Sequence, residues 1–246
     1  MEKFDIIHSP QGNNENKEEG ICMQRIKLED RVLPTYTRGE DIFNMVSHIL
    51  GAVMGIAATA LCSVFAALHH NVYGVISGAI FGATFILLYT MSSIYHGLKP
   101  HRKAKKVFQI IDHCSIFLLI AGSYTPFCLC TIREYNTALG WTFFGIIWGL
   151  AILGIILNSI DLHRYKIFSM ICYLAMGWLI IFKIDLIFNT LPRLGFYLLL
   201  AGGISYTLGA IAYGVGRNKK WFHSIFHIAC IIGSLLHFLC ILFFVI

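Results

Sequence analysis

Three histidines and one aspartate in this sequence have the types and spacing to build a metal centre. Ser92 and His96 stand four residues apart, as do His223 and His227. Residues at i and i+4 share one face of a helix, about 6 Å apart along its axis. Three neutral imidazoles with an open fourth position are a common ligand set for catalytic Zn2+. His223 and His227 can supply two ligands from one helix and His96 a third from another. Two roles are open to Asp112: a fourth ligand, or the carboxylate that holds a zinc-bound water. Zinc lowers the pKa of such a water to about 7, so a nearby carboxylate can take its proton. Ser92, one turn from His96, could bond the water, the carboxylate or a substrate oxygen. The same histidines could instead be helix-packing groups, because polar side chains in membranes commonly bond across helices. Glu40, Asn44 and His48 run i, i+4, i+8. They could accept the second N–H of metal-bound imidazoles, or form a polar cap where a helix meets the membrane.

The elements that must position these residues are membrane spans. The chain has 246 residues, 57% hydrophobic and only 13% charged, with a mean hydropathy of +0.70. A soluble domain usually carries about a quarter charged residues. Crossing a bilayer takes about 20 helical residues, and seven apolar runs are long enough: 42–68, 72–96, 107–132, 138–160, 167–189, 194–215 and 221–246. Asp112 interrupts the third, and Lys183 and Asp185 the fifth. The runs are continuous rather than alternating, which argues against a β-barrel. The expected fold is an all-α integral membrane protein, a seven-transmembrane helix bundle over residues 39–246. Residues 1–38 read as a polar, disordered tail with a short amphipathic segment near 21–28. That tail lacks the apolar core of a cleavable signal.

Lys and Arg set the orientation. The tail carries Lys3, Lys17, Arg25, Lys27, Arg31 and Arg38, and the second loop Lys99, Arg102, Lys103, Lys105 and Lys106. Arg164 and Lys166 mark the fourth loop; Arg217, Lys219 and Lys220 mark the sixth. The alternate loops offer only Arg133 and Arg193. By the positive-inside rule the N-terminus and the even loops are cytoplasmic and the C-terminus is outside. Ser92, His96, Asp112, His223 and His227 then fall in one layer near the cytoplasmic side of a plasma (inner) membrane. With one span fewer, the last pair would lie on the opposite face.

The net charge of +6 follows from these juxtamembrane loops, which suit anionic lipid headgroups. Membrane lipids are therefore the expected partners. Nucleic acid is not expected, and no obligatory protein partner is predicted. The cysteines within spans read as small hydrophobes, His237 as a helix contact, and Lys183 and Asp185 as carrying no chemistry. Glycine pairs 51/55, 78/82, 145/149 and 202/203 read as close helix packing.

The order of motifs is specific. Glu40-x-x-x-Asn44-x-x-x-His48, Ser92-x-x-x-His96, Asp112, Ala121-Gly-Ser-Tyr-Thr-Pro126 and His223-x-x-x-His227 together resemble the hemolysin III family. That family belongs to the superfamily of adiponectin and progestin receptors and alkaline ceramidases, and the short tail looks more like its bacterial branch. The resemblance covers about residue 38 onward. It implies seven helices, a zinc on His96, His223 and His227, an Asp112–water contact and Ser92 nearby. The function expected on both grounds is zinc-dependent intramembrane hydrolysis of a lipid amide or ester. One alternative is a non-catalytic regulator or sensor of membrane state with a structural zinc. A cytolytic pore-former is a weaker one, because insertion from water needs a soluble state that this composition does not permit.

Overall fold

A computed structural model describes residues 28–216 and 219–246. Most of the polar tail and its amphipathic segment, and Arg217 of the sixth loop, lie outside the described residues. Seven helices are long and apolar enough to cross a membrane: Arg38–Leu68, Val72–Gly97, Lys103–Tyr135, Thr137–Asp161, Lys166–Thr190, Arg193–Val215 and Phe222–Phe244. They are named here first to seventh. Large apolar side chains such as Val53, Ile56, Ile152 and Leu208 remain exposed on the outer faces. Lipid rather than water solvates such a surface.

The first helix begins at Arg38, four residues before the apolar run, because a capping box starts it there. The Thr37 hydroxyl accepts the Glu40 N–H, and Glu40 in turn accepts the Thr37 N–H at 2.9 Å, so two orphan backbone donors are satisfied reciprocally. This extra turn brings Asp41 onto the helix. Gly82 lets the first and second helices approach closely, since a Cβ there would meet the Thr59 backbone and side chain. Gly122 does the same for the third helix against Thr84 of the second. Gly145 and Gly149, expected to mediate packing, have nothing within 4 Å among the described residues. They face no neighbouring helix.

The third helix is the centre of the bundle, with 83% of its apolar stretch buried. It passes Pro126 into a π-helical turn, Phe127–Ile132. Proline lacks an N–H and disturbs the i→i−4 ladder, and a π turn re-pairs the backbone locally. The fifth span is also broken, into Lys166–Gly177, a 3-10 segment Leu179–Lys183, and Ile184–Thr190. Tyr124 satisfies the backbone groups freed at that break. Its hydroxyl donates to the Gly177 carbonyl at 2.9 Å and accepts the Ile180 N–H at 3.0 Å. Broken backbone survives at membrane depth only where protein supplies such partners. Thr125, the next residue, accepts the Trp148 indole N–H at 3.1 Å, tying the third helix to the fourth.

Candidate metal centre

The metal ligand candidates come from two helices that are adjacent only in the folded chain. His96 lies in the last turn of the second helix; His223 and His227 lie in the first two turns of the seventh. One carboxylate locks the start of that seventh helix. Trp221, in the left-handed conformation at φ 68°, precedes it, and its N–H donates to Glu40 Oε1 at 2.5 Å. Glu40 Oε2 meanwhile holds Thr37. A negative charge there also suits the positive ends of both helices. Glu40 therefore ties two helix N-termini together rather than accepting from an imidazole.

With the helices so fixed, three ring nitrogens converge. His223 Nε2 lies 3.2 Å from His96 Nε2 and 3.0 Å from His227 Nε2. All three offer a ligand atom within 4.8 Å of the others, and His96 and His227 are buried. A tetrahedral ion with Zn–N near 2.0–2.1 Å separates its ligand atoms by about 3.3 Å, so the spacing suits such an ion. Hydrogen bonding alone satisfies the trio poorly. A ring nitrogen carries either one proton or one lone pair, yet His223 Nε2 faces two others.

The tautomer of His96 also fits a ligand role. Its Nδ1 lies 2.9 Å from Asp41 Oδ1, and a carboxylate only accepts. The proton is thus on Nδ1 and the Nε2 lone pair points at the cluster. Such carboxylate–histidine pairs fix ring orientation and raise basicity in metal sites. Buried Lys105 donates to Asp41 Oδ2 at 3.3 Å and lies over the Tyr95 ring. Sequence reasoning missed Asp41, Lys105 and the aromatic shell. Asp41 could have been found: it precedes His48 by seven residues and Asn44 by three, on the same helical face.

Asp112 and Ser92 sit together. Both are buried, and the Ser92 side chain lies beside the Asp112 carboxylate. Asp112 stands outside the group of mutually close ligand atoms. His48 meets His227 by ring stacking, with centroids 3.7 Å apart, while its nitrogens and the Asn44 amide find no hydrogen-bond partner among the described residues. His237, deeper in the seventh helix, lies 3.1 Å from the Leu199 carbonyl, a contact with the sixth helix.

Tyr36 stacks on His223, with centroids 4.8 Å apart and planes 21° apart. Burial pushes its phenol well above the usual range, so the ring stays neutral. Beyond Tyr36 a cavity of about 900 Å³ opens, bordered by His223, His113, Tyr213 and the segment 30–37.

The sequence matches the family described as Haemolysin-III related over residues 36–238. It is 41% identical to Hemolysin-3 of Bacillus cereus, covering 84% of this chain and 92% of that protein. It is 36% identical to the Hemolysin-3 homolog of Bacillus subtilis (strain 168), covering 85% and 96%. An adiponectin receptor protein of Drosophila melanogaster is 26% identical over 65% of this chain and 41% of its own length. A seven-helix bundle matched over this length makes the chain a multi-pass membrane protein of the hemolysin III family.

Proposed function

We propose that this protein is a zinc-dependent intramembrane hydrolase of a lipid amide or ester, with its site near the cytoplasmic face of the plasma membrane. The observation that carries it is the convergence of three Nε2 atoms beside a cavity that His223 borders. Zinc held by His96, His223 and His227 would polarise the scissile carbonyl and lower the pKa of a water. Asp112, outside the ligand group, accepts the proton of the attacking water. It returns that proton to the amine or alcohol released as the C–N or C–O bond breaks. Ser92 holds the Asp112 carboxylate in place, and Asp41 holds the His96 ring. Asp112→Asn preserves shape. Zinc content should stay at the wild-type level while turnover of a lipid amide or ester falls by roughly 10²–10⁴, the usual contribution of an acid–base group.

A structural zinc clasp in a non-catalytic membrane regulator is the second reading, favoured by Tyr36 covering one face of His223. On that reading Asp112→Asn loses zinc and thermal stability together, and the wild type turns over no member of a broad lipid panel.

A further inference from the structure

The cavity beyond Tyr36 has chemistry of its own. Arg31 borders it and is only 8% exposed, yet its Nε and Nη1 find no hydrogen-bond partner among the described residues. A buried guanidinium with unpaired donors is costly, and the cost is removed when an anion occupies the cavity. Lys166, Lys219 and Lys220 border the same space. Of the two carboxylates on the wall, Glu40 is already committed to Thr37 and Trp221, leaving Asp30. We propose that this cavity is a binding site for a phosphate-type anion, with Arg31 as its central contact.

Phosphate fits better than a single carboxylate because four cationic side chains border the site. The planar guanidinium fork matches phosphate oxygens two at a time. About 900 Å³ is the size of a small-molecule site and exceeds what one free ion fills, which favours a phosphate carried on a larger group such as a lipid headgroup. As a binding site the assignment stands independently of the histidines. As a determinant of substrate class it rests on the hydrolase reading, and places the phosphate of the substrate on the His223 side of the bundle.

The test uses the full chain in nanodiscs of net-neutral phosphatidylcholine, titrated with dihexanoylphosphatidic acid, inorganic phosphate or phosphate-free dihexanoylglycerol. Phosphatidic acid should bind saturably, and Arg31→Gln should weaken it by about tenfold or more, as loss of a charged hydrogen bond does. Lys103→Gln removes a charge at the same end that pairs with exposed Glu29 instead, and should leave binding within about twofold. Without ligand, Arg31→Gln should melt no lower than wild type, since it removes an uncompensated charge. If that variant does not fold, Lys219→Gln with Lys220→Gln should weaken binding in its place. Arg31-dependent binding of inorganic phosphate alone would uphold the site and identify a free anion as its source. Repeating the titration after chelation separates the two proposals: Arg31-dependent binding by metal-free protein upholds the anion site even where zinc and turnover are absent. Equal binding in wild type and Arg31→Gln would overturn it. So would equal loss in Lys103→Gln, binding of dihexanoylglycerol as tight as that of phosphatidic acid, or binding that vanishes on chelation.

Discussion

At the scale of single residues, the His96–Asp41 pair is the part of the site that can be tested without touching a ligand. Asp41→Asn keeps the shape but removes the obligate acceptor, so His96 is no longer held in the tautomer that frees Nε2. Zinc affinity, measured by competition with a chromogenic chelator, should fall about 10–100-fold while the three histidines remain. Unchanged affinity would mean that Asp41 serves Lys105 and not the metal. The three histidines themselves were legible in the sequence, because i, i+4 spacing and the parity of seven spans put them at one end of the bundle. Asp41 was legible only in part: three residues before Asn44 and seven before His48, it shares their helical face, but the apolar run starts at residue 42 and nothing local pairs Asp41 with His96. It reaches His96 only because the Thr37 capping box extends the helix by a turn and small residues let the first two helices close on each other.

At the scale of elements, two side chains hold the geometry through backbone bonds. Glu40→Ala frees the Trp221 N–H and breaks the capping box, so the first turns of the seventh helix lose their anchor. Charged hydrogen bonds of this kind contribute about 1.5–3 kcal/mol. The variant should melt at lower temperature and bind zinc more weakly, though it removes no ligand. Tyr124→Phe acts elsewhere: Gly177 and Ile180 lose their partner at the break in the fifth helix. Each buried group left unsatisfied costs about 1–3 kcal/mol, so stability should drop while zinc content stays at wild type. A matching drop in zinc would show that the two halves of the bundle are coupled. Seven spans were readable from apolar length alone, but neither break was. A π turn and a 3-10 segment keep the same composition as a straight helix, and their cause lies in partners on other helices. Pro126 stands just before the π turn, but a proline alone does not say which kind of turn follows it. Glycine spacing was a poorer guide: 78/82 mediates close packing, whereas 145/149 contacts nothing among the described residues.

At the scale of the whole molecule, the fold brings the ends of distant helices into one layer, and orientation decides which side of the membrane that layer serves. The basic loops at 97–103 and 161–166, and Lys219 and Lys220 before the seventh helix, share an end with the histidines. Tags at the N-terminus and within 99–106 should be shielded from reagents added outside the cell, and a tag after Ile246 should be reachable. The reverse pattern would place the metal centre on the outer face. The metal itself is the most direct test, since the second and seventh helices can supply three ligands to one ion only in the assembled bundle. Purified protein should contain about one zinc per chain, and chelation should lower its melting temperature, because an ion that binds only the folded state stabilises it by mass action. Measured by mass spectrometry of metal content, His96→Ala and His227→Ala should each lose most of that zinc. Full zinc retention in both variants would contradict the site and leave the histidines as helix-packing groups.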